Sequence, residues 1–290
     1  MNGLIMLGMS MYIINYHNIV ADEDYDKFDK NIFTRTSVTA FKKEVDFLSK
    51  RFNFVTLKEI VTSLEKGKIL PSTIAFTFDD GYQGVYNFAL PILESYGVTG
   101  TILIIPKYSS KTHFHFDELE IAFRLSGKDN PKELKKIKNR LKNSPSVTGE
   151  NNFSLILSKL RVSKNSIENY AAKHKKYFPM SWQEINDAFK RGHSIGSHTI
   201  SHHSLKQMSH DKAIKEIVDS LKIIKRNVKG ISWIPFSYPY GKPKHISNFL
   251  IQSVKKSGYA CGLTTITGIN MSGANLYKLK RVELENGKFI

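Results

Sequence analysis

The chain has 290 residues, 41% hydrophobic and 24% charged, with a formal net charge of +17. That length buries a sizeable core, and the composition is ordinary for a soluble globular protein. The single cysteine, Cys261, excludes an internal disulfide framework and a thiolate zinc cluster. The basic excess suggests an anionic partner (acidic glycan, lipid-linked sugar phosphate, anionic membrane surface or nucleic acid), although Lys and Arg are spread widely enough to be only a solvated basic surface. No nucleic-acid-binding motif is recognisable, so no nucleic-acid partner is expected.

Met1 to Tyr16 is apolar but has no basic n-region, no small-residue cleavage site, and fewer than the roughly twenty apolar residues of a membrane span. A first core strand over about Met11 to Tyr16 fits better, and the chain reads as cytoplasmic, with an uncleaved membrane-associating start as the alternative. Ile19 to Thr36, with the acidic Asp22-Glu23-Asp24, reads as a loop. Ser37 or Thr39 caps a helix bearing Phe41, Val45 and Leu48 on one face. After a short strand, Phe52 to Val55, the capping box Thr56-x-x-Glu59 opens a helix that runs through Leu64 and is closed by Gly67. The apolar run Thr73 to Phe76 is a buried strand leading into Thr77-Phe78-Asp79-Asp80-Gly81-Tyr82. The following helix, Val85 to Tyr96, contains Pro91, which kinks it or marks a new first turn. Gly97 ends it, and Thr99 to Ile105 is again a strand.

Residues 107–178 break this rhythm. They hold sixteen Lys/Arg and seven Asp/Glu, about half of the excess charge. Phe114 to Glu120 opens a helix, Lys132 to Leu141 is a basic helix, and Asn143 to Asn152 is a loop. The segment reads as a lid, a substrate-groove wall, a membrane-facing patch or a solvated helical decoration. Beyond it, the capping box Ser181-x-x-Glu184 starts a helix that Gly192 stops. His193 to Gly196 is a strand leading into Ser197-His198-Thr199-Ile200-Ser201-His202-His203-Ser204-Leu205. Ser209 and Asp211 open a long amphipathic helix with Ile214, Ile217, Val218, Leu221 and Ile224 inward, ended by Gly230. The strand Ser232 to Tyr238 turns into Pro239-Tyr240-Gly241. A helix from about His245 to Lys256 and strands Tyr259 to Thr264 and Leu279 to Leu284 complete the chain. Strand–helix alternation repeats about seven times, which predicts a parallel α/β barrel of an irregular (β/α)7 type with its site at the strand C-terminal ends. Residues 1–290 form one domain, interrupted by the 107–178 insertion.

Two adjacent carboxylates sit where a strand ends and a helix begins. Side chains alternate along a strand, so Asp79 and Asp80 point to different places; one could bind a metal while the other takes a proton. The bland alternative is a helix cap beside a solvated turn residue. His198 and His202 are four apart, which on one helix-like turn faces both rings the same way. Two imidazoles and one carboxylate make a three-ligand site for a divalent ion, with positions left for water and substrate.

Together these stretches resemble the polysaccharide deacetylase family, carbohydrate esterase family 4. Its first motif, Thr-Phe-Asp-Asp-Gly, stands unchanged at Thr77 to Gly81. Its second, His-(Ser/Thr)-x-x-His with a later Leu, is His198-Thr199-Ile200-Ser201-His202 and Leu205. Its third keeps the frame Tyr238-Pro239-Tyr240-Gly241, but Ser237 replaces the usual Arg. The resemblance covers roughly residues 12–105 and 179–285. It implies Asp80, His198 and His202 as metal ligands, zinc suiting this set with cobalt or nickel serving too. It also implies Asp79 as base, the Tyr82 backbone N–H as oxyanion donor, and Pro239 and Tyr240 as substrate-binding residues. Tyr82, Trp182, Trp233 and Tyr240 are candidates to stack on sugar faces, with core packing favoured for Trp233. His203 is a further candidate ligand or supporting residue.

Two departures from the family pattern matter. The usual C-terminal Leu-x-His acid is Leu279-Lys280-Arg281 here, without a His. A family subgroup that includes poly-N-acetylglucosamine deacetylases instead carries Tyr-His on the first strand, which matches Tyr16-His17 and implies His17 as general acid. With Ser237 in the Arg position, either the Asp79 pKa is less depressed than usual or another basic side chain such as Arg281 stands in. The resemblance thus implies a metal-dependent N-deacetylase acting on an amino sugar of an envelope polysaccharide or its lipid-linked precursor. The alternative is a catalytically impaired carbohydrate-binding module of the same fold.

Overall fold

The computed structural model describes residues 10–26, 28–29, 34–109, 113–128, 130–142, 154–285 and 288–289. Residues 1–9 and the whole of the loop expected over Asn143 to Asn152 lie outside them. The chain runs β1 (Met11–Tyr16), β2 (Asn18–Val20), β3 (Arg35–Ser37), α1 (Val38–Ser49), β4 (Asn53–Phe54), α2 (Leu57–Glu65) and β5 (Thr73–Asp80). A π turn over Val85–Ala89 passes into α3 (Leu90–Ser95), followed by β6 (Thr101–Ile104). Then come α4 (His115–Leu125), α5 (Pro131–Lys142), α6 (154–160), α7 (Lys164–Lys173) and α8 (Trp182–Lys190). The remainder is β7 (Ser194–Ser197), α9 (His210–Asn227), β8 (Phe236–Ser237), α10 (Asn248–Lys256), β9 (Gly262–Thr267), β10 (Leu279–Glu285) and β11 (Lys288–Phe289).

Seven strands close a parallel barrel in the order β1, β5, β6, β7, β8, β9, β10 and back to β1. The predicted (β/α)7 barrel is therefore the observed fold. Closure runs through β1, which pairs with β5 from Met11↔Thr73 to Tyr16↔Phe78 and with β10 at Ile14↔Val282. Alternation then sorts each strand. Tyr12, Ile14 and Tyr16 of β1 and Ile74, Phe76 and Phe78 of β5 pack outward under the helices. Met11, Ile13 and Ala75 turn inward and join Leu103, Leu263 and Leu279, with Leu57, Ile60, Val61 and Leu64 of α2 packed against them. The same parity carries Asp79 into the barrel interior, where it is buried.

Both capping boxes form, at Thr56/Glu59 and Ser181/Glu184, and Ser37 caps α1. Pro91 lies in the first turn of α3, so it marks a new start, and the preceding turn is a π turn rather than a continuous helix. The expected strand Ser232 to Tyr238 shrinks to Phe236–Ser237, because Pro235 and Pro239 have no N–H for the ladder. The stretch Ile19 to Thr36, read as loop, begins and ends in a separate two-stranded parallel pair, β2 with β3. Ile214, expected inward, is 40% exposed, whereas Ile217, Leu221 and Ile224 are buried.

Between β6 and β7 the described part of the 107–178 segment is helical and has its own core. Leu119, Ile121, Ala122 and Phe123 of α4 pack with Leu134, Leu160, Ile167, Ala171 and Tyr177, and Phe28 joins them.

Among the described strand glycines, Gly196 of β7 leaves the least room for a side chain. A Cβ there would lie 2.4 Å from Leu103 Cδ1 and 2.6 Å from the Pro235 carbonyl oxygen. Gly196→Ala should therefore destabilise the barrel by about 1–3 kcal/mol, as overpacking does, read as a lower urea midpoint with an unchanged slope.

Candidate active site

The C-terminal rim of the barrel gathers the sequence-predicted residues. Asp79 and Asp80 end β5, His17 follows β1, His198 follows β7, and Ser237 ends β8. Asp80 takes a left-handed backbone (φ 72°), and Gly81 does the same (φ 77°) with its Cβ position 3.0 Å from Ile104. The chain thereby leaves the strand sharply, so Asp79 faces the interior and Asp80 the rim. Four of the six non-glycine residues with positive φ among those described (Asp80, Thr199, His202 and Tyr240) lie here. Such conformations persist where surrounding bonds over-determine them.

His198 and His202 do converge, but not on the helical turn their spacing suggested. The loop after β7 bends through left-handed Thr199 (φ 66°) and His202 (φ 62°). Glu216 of α9 holds it, accepting the N–H groups of Ile200 (2.9 Å) and Ser201 (3.0 Å) and the Ser201 hydroxyl (2.7 Å). Asp80 Oδ1 then lies 3.7 Å from His198 Nε2 and 3.5 Å from His202 Nε2, and the three ligand atoms all lie within 4.8 Å of one another. His198 Nδ1 is 2.9 Å from the Ser237 carbonyl, which can only accept. The proton is therefore on Nδ1, which leaves the Nε2 lone pair available, the tautomer a ligand requires. Burial pushes the His198 imidazole down, towards the neutral form. The donor set fits a divalent ion of the zinc, cobalt or nickel type. His203 does not join the three. Its Nδ1 meets Ser201 Oγ at 2.7 Å, and its ring stacks on His115 at 5.6 Å.

Asp79 is held by Arg281, from the opposite end of the sequence. Arg281 Nη1 donates to Asp79 Oδ1 (2.9 Å) and Nη2 to Oδ2 (2.6 Å). The guanidinium is itself fixed by Asn15 Oδ1 (2.6 Å), Thr77 Oγ1 (3.2 Å) and the Thr264 carbonyl (2.8 Å). Ser237 Oγ donates to Asp79 Oδ2 at 3.2 Å and accepts from Arg281 Nη2 at 3.0 Å. Of the two outcomes open for the substituted third motif, Arg281 standing in is the one the structure contains. Burial alone would push the Asp79 carboxyl up, but the Arg281 guanidinium outweighs it and holds the group well below the usual carboxylate range. His17 is half-buried and near enough for its charge to act on both Asp79 and His198.

A small, half-open pocket adjoins Asp80 and His202. The 107–178 segment supplies half its wall, Tyr108, Phe114, His115 and Phe116, and Tyr82 and Ile105 complete it. Tyr240 lies beside it, its ring 5.0 Å from His202 and 6.4 Å from Phe116, over buried Pro239. Trp182 and Trp233 instead pack against core clusters. Sequence reasoning missed Asn15, Glu216 and the aromatic residues of the segment. Asn15 shares the inward parity of Met11 and Ile13 and was in principle readable; Glu216 gives no local signal.

The fold and site define a (β/α)7 barrel with a His–His–Asp centre beside a buried, arginine-clamped aspartate. The chain belongs to the polysaccharide deacetylase family, whose model matches residues 66–145 and 151–262. A poly-β-1,6-N-acetyl-D-glucosamine N-deacetylase of Staphylococcus epidermidis is 31% identical over 115 residues, 37% of this chain and 39% of that relative. A protein of the same name from Staphylococcus aureus is 32% identical over 80 residues, 27% of this chain and 28% of that one. Among solved structures, IcaB from Ammonifex degensii superposes with a TM-score of 0.64 at 15% identity, covering 96% of this chain and 93% of that one. The Streptococcus pyogenes deacetylase PplD, in complex with acetate, gives 0.63 at 17% identity over the same shares. At these identities the structural likeness is one of fold.

Removing the clamp should strand a buried charge. Arg281→Met should cost about 3–5 kcal/mol at neutral pH, measured by urea unfolding. The paired, depressed carboxyl stabilises the fold above its unfolded value near 3.9, whereas in the variant protonation relieves the penalty. The gap between the two proteins should therefore narrow as pH falls towards 4.

Proposed function

We propose that the protein is a metal-dependent hydrolase that removes N-acetyl groups from amino sugars of a glycan, with poly-N-acetylglucosamine as the first substrate to test. The observation that carries this reading is the ionised, Arg281-clamped Asp79 lying beside the converging Asp80, His198 and His202. A divalent ion held by those three residues would polarise the acetyl carbonyl and bring the pKa of a bound water towards about 7. Asp79, kept as a carboxylate and fixed in orientation, accepts the proton of the attacking water. The Tyr82 backbone N–H receives the developing oxyanion. An amine is a poor leaving group unless protonated, and His17, just past the end of β1 next to β5, delivers that proton. The aromatic wall of Tyr108, Phe114, Phe116 and Tyr240 offers apolar faces to the sugar and helps exclude water.

The names of the staphylococcal relatives support the substrate class, and Tyr16-His17 supports placement with the first-strand His subgroup. A lipid-linked precursor sugar is the second substrate to test, in keeping with the basic surface. The rival, a non-catalytic glycan-binding module, leaves the clamp unexplained, since a binding surface has no use for a buried, ionised aspartate.

The purified chain, supplied with zinc or cobalt, should bind about one ion and release acetate from short N-acetylglucosamine oligomers. Asp80→Ala and His198→Ala should lose metal and turnover together, and full metal occupancy in either would show the ligand set to be wrong. Asp79→Asn should keep the metal and lose turnover by a factor on the order of 10²–10⁴. His17→Ala should behave likewise; unchanged turnover there would place the acid elsewhere.

A further inference from the structure

Gly81 gives the Gly81–Tyr82 peptide unusual freedom, because a glycine at positive φ does not fix the plane that follows it. Two contacts from outside supply the constraint. Met180 N–H donates to the Gly81 carbonyl at 2.8 Å and Gln83 N–H to the Phe178 carbonyl at 2.7 Å, so Tyr82 is the non-hydrogen-bonded member of its bridge with Pro179. Its own N–H thus points away from residues 178–180. The second contact is through the side chain. The buried Tyr82 hydroxyl donates to Asp117 Oδ2 at 3.0 Å, and the ring packs edge-on against Phe114 at 4.6 Å.

Asp117 is not free to move. Its other oxygen accepts from Arg35 Nη2 at 3.2 Å. Arg35 Nη1 contacts Asp29 and Glu120, both at 2.6 Å. Lys176 reaches Asp29 at 2.7 Å, and Arg124 reaches Glu120 at 3.1 Å and Asp29 at 3.2 Å. The cluster joins β3, the chain before it, α4 and the turn after α7. Stability alone does not explain it, because buried ion pairs replaced by apolar groups of similar volume often leave stability unchanged or raised. A Phe at position 82 would pack against Phe114 as well as Tyr does. The hydroxyl and its carboxylate serve orientation.

We propose that Asp117 is a positioning residue: through the Tyr82 hydroxyl it sets the plane of the Gly81–Tyr82 peptide, and so the aim of the N–H that receives the oxyanion. The 107–178 segment is then part of the catalytic apparatus rather than a decoration. The proposal rests on the deacetylase reading for its kinetic consequence, but not for its structural one.

The test uses the full chain loaded with zinc, as wild type, Tyr82→Phe, Asp117→Asn and the double variant. Tyr82→Phe removes one hydrogen bond but no ion pair of the cluster, and Asp117→Asn leaves Arg35 with Asp29 and Glu120, so both should fold. Each single variant should lower kcat roughly 10- to 100-fold, the scale of a misplaced catalytic group, with KM and metal content close to wild type. The double variant should be no worse than the poorer single. Amide hydrogen exchange over residues 81–83 should quicken in all three. Undiminished kcat in either single variant, losses that multiply, or loss of metal would overturn the proposal. If wild type releases no acetate under any loading, the deacetylase reading fails and hydrogen exchange decides: unchanged protection at 81–83 would sink the positioning role as well.

Discussion

The Arg281–Asp79 pair is the interaction on which the rest of the centre depends. Two charges taken fully out of water carry a desolvation cost of several kcal/mol each, offset only when geometry is good and the remaining donors are satisfied. Here the contact is bidentate, and Asn15, Thr77, Ser237 and Thr264 take up the other guanidinium donors. Those partners come from β1, β5, β8 and β9, with Arg281 itself on β10. Five of the seven barrel strands must be in register before the pair is satisfied. Barrel closure and the protonation state of Asp79 are therefore one event, and a barrel shifted by one residue would leave an unpaired charge inside.

The neighbouring histidine loop solves a different problem. Asp80, Thr199 and His202 occupy backbone conformations that cost of order 1–3 kcal/mol each, so the loop needs an external hold. Glu216 supplies it with three hydrogen bonds from α9. Ser237 ties the two halves together, its carbonyl fixing the His198 tautomer while its hydroxyl touches both Asp79 and Arg281. One residue thus coordinates the orientation of a ligand with that of the base. A Ser suits this, because a second guanidinium at position 237 would compete with Arg281 for the same carboxylate.

The barrel and the rim were legible in the sequence because they are written locally. Strand parity separated Asp79 from Asp80, capping boxes marked α2 and α8, and the spacing of His198 and His202 signalled convergence. What was not legible is what depends on distant partners. His198 and His202 meet through left-handed turns held by Glu216, a contact that spacing cannot announce. Arg281 could be named as a substitute only because Ser237 left a vacancy in the family pattern; nothing in Leu279-Lys280-Arg281 alone points across 202 residues to Asp79. The prolines at 235 and 239 were visible, yet their effect on β8 was underestimated. Ile214 shows the same limit, since helical periodicity gives a face but not how far the barrel covers it.

The 107–178 segment shows how a composition can mislead and inform at once. Its excess of Lys and Arg reads as surface charge, and Lys132, Lys135 and Lys136 of α5 are indeed exposed. Yet Arg124, mostly covered, and Lys176, buried, are committed to carboxylates: Arg124 to Glu120 within the segment, and both to Asp29 in the chain that precedes β3. A decoration tethered only at its two ends would have no need of such a cluster, which couples four pieces of chain at a high desolvation cost. The cluster instead ties the segment to the chain before β3, and Asp117 carries that tie on to Tyr82, two residues from Asp80. The exposed charge and the buried charge therefore answer to different constraints: the first to the solvent and whatever approaches from it, the second to the geometry of the peptide that closes the site.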